Sequence, residues 1–408
     1  MNMQRTQRRS LVVVGSMICQ FCVGMLYSWS VFQTPIAQLQ GWDPGAVSLT
    51  FSISTFMLPV AMIAAGVLLP RWGPRRVAAL GGVVLTIGLL IASQAHSLGI
   101  LYLGFGFLGG AGVGMVYGVP IATCAGWYPE STGLITGLAV AGFGLGSSVY
   151  APIATRLIGL IGPMHTFLVQ ACVSLAGITL GSMLLKAPPA REQSVQDGEV
   201  RTRGFTPREM LSTWQYWLLL VIYILANAIG LMVVGHAAPM GQQLAQITAA
   251  QASAVVSILA IANTLGRFLG GAMSDRFGPF RVVIFLFLVD AATMFSLRMM
   301  TNFVGYALVI AILACCFGGM VGAYPSIVMD YFGPEFYSIN YGLVFLAFGI
   351  GGLLGPQIVS QVLRTQNGDY TLAFWIAGAA AIAGAVMALF CRKPVQREAR
   401  GTRSPSKI

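Results

Sequence analysis

The sequence predicts an all-α membrane protein, with twelve transmembrane helices arranged as two parallel six-helix repeats. Three observations predict it. Of 408 residues, 56% are hydrophobic and 9% charged, and the mean hydropathy is +0.78. A soluble protein carries roughly 25% charged residues, so a chain this apolar has too little polar surface for water, and the lipid bilayer is the solvent that fits. The apolar residues fall into twelve runs, each near the ~20 residues that cross a bilayer core. The first half of the chain reappears in the second at one constant shift.

The first run, about 11–33, follows the basic start MNMQRTQRRS. It continues past ~20 residues without a small-x-small cleavage site, so it reads as a membrane helix and not as a signal peptide. Five more follow at about 46–69, 77–95, 100–127, 133–157 and 164–185, by the same length criterion. The longest polar stretch, Lys186 to Thr213, comes next. The second six lie at about 214–238, 250–273, 280–300, 303–331, 338–363 and 371–391. The expected organisation is an N-terminal bundle (1–185), a cytoplasmic linker (186–213), a C-terminal bundle (214–391) and a cytoplasmic tail (392–408).

Basic residues orient the chain. Arg5, Arg8, Arg9, Arg71, Arg75, Arg76, Lys186, Arg191, Arg201, Arg203, Arg208, Arg276, Arg281 and the six cations from Arg392 to Lys407 all fall at one end of the spans. The other end receives only Arg156, Arg298 and Arg364. By the positive-inside rule both termini are cytoplasmic, in a multi-pass protein of the inner (plasma) membrane. The net charge of +11 is therefore a topology signal and a contact with anionic lipid, with no nucleic acid implied. The seven cysteines, Cys19, Cys22 and the adjacent pair Cys315–Cys316 among them, fall in the spans and read as packing residues. Glycine clusters such as GGAGVG (109–114) lack a preceding strand and read as sites of close helix approach, not as a phosphate cradle.

A shift of 205 residues aligns FGLG (143–146) with FGIG (348–351), Gly137–Leu138 with Gly342–Leu343, Pro129–Glu130 with Pro334–Glu335, Pro120 with Pro325, and PRWGPRR (70–76) with DRFGPFR (275–281). Six helices followed by six in the same orientation make a parallel repeat. Residues present in both halves, Glu130 and Glu335 included, build the fold; an ionisable residue present in one half only is a candidate for function.

The loop pair carries a family resemblance. GAMSDRFGPFR (271–281) resembles the loop signature of the major facilitator superfamily, and GVLLPRWGPRR (66–76) is its first-half copy. The first copy departs from the pattern at Pro70, where the family has aspartate. The resemblance covers essentially the whole chain and implies the major facilitator fold.

Arg267 is the residue that the repeat filter isolates, because its first-half counterpart is Met62. It lies eight residues inside the helix from Asp275. At ~1.5 Å per residue that is about 12 Å deep, near the middle of a ~30 Å core. A cation there costs at least ~2.5–3.5 kcal/mol unless it faces the protein interior or a wet cavity. A structural role would require a buried acid. Of the twelve acidic residues only Asp290, on the ninth helix, lies well inside a span, and in the superfamily that helix is peripheral. Asn263 stands one turn from Arg267 on the same face. A guanidinium with a neighbouring amide suits a carboxylate, which the planar fork grips bidentately.

LYSWSVF (26–32), GMVYGVP (114–120), AGWYPE (125–130), FGLGS (143–147), GRFLGGAMSDRFG (266–278), YPSIVMDYFG (324–333) and NYG (340–342) together are similar to the oxalate–formate antiporter family, whose relatives are the animal monocarboxylate transporters. In that family the helix-8 arginine holds a substrate carboxylate, and the resemblance gives Arg267 that role. Oxalate exchangers of the family add a lysine on helix 11, six residues after the glycine of NYG; here that position is Phe348, and no span contains a lysine. A dianion in a low-dielectric cavity needs two cations. One arginine among apolar walls suits a small monocarboxylate such as lactate, pyruvate, propionate, acetate or formate. Tyr117, near the middle of helix 4, is placed to share the carboxylate. By resemblance the walls add Leu26, Tyr27, Leu145, Phe317, Val321, Phe345 and Phe348.

The expected function is secondary active transport of such anions by alternating access, coupled to protons, with His236 and Asp290 as the proton-coupling candidates. In the animal relatives an aspartate stands one turn from the arginine; here that slot is Asn263. The alternative is an oxalate/formate-type anion exchanger; a non-transporting carboxylate sensor is more remote, since the tail after Cys391 is short for a signalling domain. No HExxH, GxSxG or paired intramembrane acids suggest an enzyme. The expected partners are a small monocarboxylate anion, a proton and membrane lipid, with no cofactor and no metal, in a protein that functions as a monomer.

Overall fold

The computed structural model describes residues 3–188 and 204–394. The linker cations Arg191, Arg201 and Arg203 and the tail cations from Arg397 onward lie outside the described residues.

Among the described residues, ten apolar helices are long enough to cross a membrane. Two of them each hold two spans, which gives the twelve of the major facilitator fold. α1 (Met3–Val23) passes through a 3-10 turn (Gly24–Ser28) into α2 (Trp29–Gln40), and together they form the first span. α3 (Pro44–Ser93) is broken at Gly73, φ 74° and ψ 165°, into the second and third. The short α4 (Leu98–Leu101) runs through a π-helical stretch (Tyr102–Gly109) into α5 (Gly110–Trp127), the fourth. α6 (Thr132–Leu184) is broken at Gly162, φ 81° and ψ 163°, into the fifth and sixth. At both breaks a proline follows the glycine. Only glycine enters this backbone region at no steric cost, and proline then restarts the helix without needing a donor. The repeat partner of Gly73, Gly278, has φ 86° and separates two helices outright.

The second half opens with α7 (Pro207–Leu211), a short helix held by a capping box between Thr206 and Glu209. Then come α8 (Trp214–Leu244), α9 (Ala249–Phe277), α10 (Pro279–Ser296), α11 (Phe303–Phe332), α12 (Tyr337–Thr365) and α13 (Thr371–Leu389). Thr213, Thr248 and Asn302 cap α8, α9 and α11 by accepting from backbone N–H groups three residues on.

Large apolar residues such as Leu160, Leu180, Val304, Leu308 and Trp375 are exposed, the surface a lipid-facing belt requires. The halves meet along two seams, α6 against α9 and α3 against α12. In the first, Gly133 and Gly271 bring backbones together; in the second, Gly342 lies on Ile63 and Gly349 on Phe56.

Candidate functional site

Arg267 is 1% exposed, and it is the one buried lysine or arginine among the described residues. The helix–helix seam that holds it is built on glycine. Gly318 and Gly322 of α11 lie against the α9 backbone at Asn263 and Arg267, where a Cβ would overlap the carbonyl oxygens. The side chain is aimed by a strut. Arg267 Nε donates to Asn263 Oδ1 at 3.0 Å, and Asn263 Nδ2 donates to the Ala314 carbonyl oxygen of α11 at 3.2 Å. Asn263 thus engages both ends of its amide in holding the arginine.

Aromatic rings from both halves surround the guanidinium. Its central carbon lies 5.1 Å from the Phe143 ring and 6.0 Å from the Tyr27 ring. Phe143 stands edge-on to Tyr27, 4.9 Å away, and to Tyr117, 5.5 Å away. Tyr117 stacks on Phe345 across the half-to-half boundary at 5.2 Å, and Phe345 stacks on Phe348 at 5.0 Å. Tyr341 and Tyr223 reach Phe345 at 5.5 and 6.0 Å, and Tyr223 is stacked on Tyr324 at 3.6 Å. Tyr27, Tyr117, Tyr223 and Tyr341 all lie within electrostatic reach of Arg267. The Tyr117 hydroxyl faces both the guanidinium and the Tyr341 hydroxyl.

These polar groups approach one another, Tyr27 and Tyr117 toward the guanidinium and Tyr117 toward Tyr341, short of well-formed hydrogen bonds. Arg267 Nη1 and the hydroxyls of Tyr27, Tyr117, Tyr223 and Tyr341 are buried with no hydrogen-bond partner in the protein. A buried unsatisfied donor costs ~1–3 kcal/mol, and several in one place mark a surface made for a ligand's acceptors. The arrangement can bind an anion: one fixed cation, several neutral donors, aromatic walls.

Of the other residues expected at the site, Leu26 is buried on the same turn as Tyr27, Phe317 lies against α8 at Gly230, and Val321 is buried on α11. Leu145 is a correction. It is 46% exposed beside Val149 and Ile153. Two residues along a helix is a rotation of about 200°, so when Phe143 faces the arginine Leu145 faces lipid. Nor does the structure bring His236 or Asp290 to the cluster. His236 packs against Tyr370, 6.4 Å between rings, with Nδ1 3.2 Å from the Met232 carbonyl oxygen. Asp290 is buried beside Cys316 of α11. Phe143, Tyr223, Tyr324 and Tyr341 were not singled out from the sequence, although three of them stand inside quoted motifs: FGLG, YPSIVMDYFG and NYG.

At the basic end of the molecule a second polar feature ties the halves. Asp275, in the last turn of α9, accepts from the N–H groups of Gly133 and Leu134 at 3.0 and 2.7 Å, the first turn of α6. Its repeat counterpart Pro70 lines a cavity of about 360 Å³ together with Gly66, Glu335, Ser338 and Ile339.

A bundle of twelve membrane-crossing helices in two related halves, with one buried cation among the described residues set where the halves meet, is the architecture of a secondary transporter. Comparison with known proteins places it further. Residues 16–356 match the Major Facilitator Superfamily, and the chain belongs to that superfamily; it is a transporter and not an enzyme. It is 32% identical over 353 residues to an uncharacterized transporter of the same superfamily, YhjX of Escherichia coli, covering 86% of this chain and 87% of that one. It is 27% identical over 386 residues to the oxalate:formate antiporter of Oxalobacter formigenes, covering 93% and 90%. To monocarboxylate transporter 13 of Bos taurus it is 26% identical over 363 residues, covering 87% and 80%. Among solved structures, the proton:xylose symporter XylE superposes with a TM-score of 0.76 at 12% identity, covering 95% and 97%, a likeness of fold alone.

Proposed function

We propose that this chain carries small monocarboxylate anions, of the lactate, pyruvate and formate kind, across the inner (plasma) membrane by alternating access. The observation that carries the reading is the guanidinium of Arg267, buried, pre-aimed by Asn263, and ringed by tyrosine hydroxyls that have no protein partner. One carboxylate satisfies the arginine bidentately and draws one or two of the hydroxyls. A dianion leaves its second charge among neutral rings, because Phe348 stands where the oxalate exchangers of the family have lysine. The printed names of two relatives, an oxalate:formate antiporter and a monocarboxylate transporter, support the carboxylate class.

In this reading the six-helix halves, 1–185 and 214–391, rock about the Arg267 level as a monomer embedded in lipid, with both termini cytoplasmic. Uptake of the anion alone is opposed by a negative-inside potential at roughly 2.3 kcal/mol per charge per 100 mV, and a co-transported proton removes that opposition. A second reading, exchange of one carboxylate for another, is favoured by a specific observation: the proton candidates His236 and Asp290 face other helices and not the arginine. Uptake of labelled lactate, formate and oxalate into proteoliposomes, with and without a pH gradient, tests both. Lactate or formate uptake driven by outside acid supports the proposal. Preference for oxalate overturns the substrate class. Acceleration by an internal carboxylate and none by outside acid replaces symport with exchange.

A further inference from the structure

Tyrosine hydroxyls outnumber what one carboxylate needs. They are also unevenly placed. Tyr27 and Tyr117 come from the first half and lie nearest the guanidinium, Tyr27 through its ring and Tyr117 through its hydroxyl. Tyr223 and Tyr341 come from α8 and α12. Both rings pack on Phe345, at 6.0 and 5.5 Å, and Phe345 stacks on Tyr117 at 5.2 Å. The ring contacts therefore run outward from the cation: Tyr27 and Tyr117 about Phe143 beside Arg267, then Tyr223 and Tyr341 about Phe345. The last two sit on an aromatic floor, Tyr223 stacked on Tyr324 at 3.6 Å and Tyr341 packed on Phe345 at 5.5 Å and Tyr337 at 5.8 Å. Both rings are fully buried, and neither hydroxyl has a partner.

We infer that Tyr223 and Tyr341 read a second, uncharged oxygen on the substrate, carried next to its carboxylate, and so set a preference for 2-hydroxy and 2-oxo acids over plain alkyl acids. This rests on the carboxylate reading above and adds a specificity determinant to it. The guanidinium and Tyr117 take the carboxylate. An oxygen on the adjacent carbon then falls on the far side of Tyr117, where the two remaining hydroxyls meet it. A hydroxyl on the substrate can donate or accept there, and a keto oxygen can accept, because a phenolic O–H does both. A second carboxylate would bring a charge to a place that offers only neutral dipoles. An alkyl substituent would leave both buried hydroxyls unpaired, and polar sites reject analogues that leave them so.

The test uses the full-length protein in proteoliposomes, with binding measured by competition among lactate, pyruvate and propionate. The wild type is expected to hold lactate or pyruvate at least about tenfold more tightly than propionate, the scale of one or two buried hydrogen bonds. Tyr223→Phe and Tyr341→Phe are expected each to weaken lactate by about tenfold and to hold propionate as tightly as the wild type or more so, collapsing the ratio. Each variant keeps its ring and loses a hydroxyl with no protein partner, so its melting temperature should hold; a variant that does not fold is replaced by the other, which carries the same expectation. Equal wild-type binding of lactate and propionate, or an equal loss of both in the folded Phe variants, overturns the inference. If monocarboxylates bind, bind through Arg267, and show no dependence on the two hydroxyls, only this inference falls. If no monocarboxylate binds, or Arg267→Lys binds as the wild type does, the carboxylate reading falls and takes this one with it.

Discussion

At the basic end, Asp275 reaches from the second half to the first turn of α6. Its repeat partner Pro70 faces the first turn of α12, which has no side-chain cap of its own. The same two stretches of chain differ again deeper in the membrane. The helix that carries Asp275 also carries Arg267, and the helix that carries Pro70 also carries Met62, packed on Gly118. Duplicate scaffolds have thus kept their backbone breaks, Gly73 and Gly278 included, and divided their charges. One seam is latched and holds the cation. The other is unlatched, and there the 360 Å³ cavity opens. A shared glycine reports the fold, whereas an unshared charge reports the work done on it.

Copying one half into the other is the way to break this comparison. Arg267→Met, which installs the first-half residue, should fold and insert, and its proteoliposome uptake should fall by at least about 100-fold, since charge-assisted hydrogen bonds of ~1.5–3 kcal/mol each are lost. Arg267→Lys should lose most transport as well, because lysine keeps the charge without the fork; near-wild-type uptake by this variant would sink the bidentate geometry.

Phe348 and its repeat partner Phe143 form a second pair. Phe348→Lys adds a cation at one member only, next to Phe345. Lactate uptake should drop by about tenfold, and competition by oxalate should appear, as two cations now suit two carboxylates. Retained lactate uptake with no oxalate competition would place Phe348 outside the substrate's reach.

The latch carries smaller effects. Asp275→Ala removes a cap shared across the halves and should cost about 1 kcal/mol, read as a lower melting temperature in detergent. Pro70→Asp offers α12 the cap it lacks. It should raise the melting temperature slightly, slow transport by a few-fold, and shorten spin-label distances across the basic end. Unchanged distances with unchanged melting would show that the asymmetry of the seams does not arise at this residue.

Much of the fold was legible because the bilayer forces helices and the repeat leaves a ruler in the sequence. The breaks in α3 and α6, at Gly73 and Gly162, fall in the gaps between predicted runs. Arg267 was readable for the opposite reason, being a cation where composition forbids one. Its aromatic surroundings were readable only in part. Tyr117 came through its depth in helix 4, and Tyr27 and Phe345 through resemblance, but Tyr223 in WLLLVIYILAN has no signal that separates it from packing residues. In these helices the lipid face and the protein face are both apolar, so the rotational phase of a helix is invisible to periodicity. That is how Leu145 could be taken for a wall while Phe143, two residues earlier, was passed over. Phase is fixed by glycine contacts such as Gly144 on Thr264 and Gly146 on the Phe21 backbone, which exist only once the helices are assembled.

The hydrogen bond from Arg267 to Asn263, and from Asn263 to the backbone of α11, has a consequence for how an anion is weighed at this site. A free arginine side chain loses about 2 kcal/mol of rotamer entropy when it is immobilised on a ligand. Here the loss is incurred during folding, before any anion arrives. Affinity for a very small ligand can then come almost wholly from the contacts it makes. Small ligands have few atoms from which to draw binding energy, and a receptor that has already surrendered its own freedom is the kind that can still hold them.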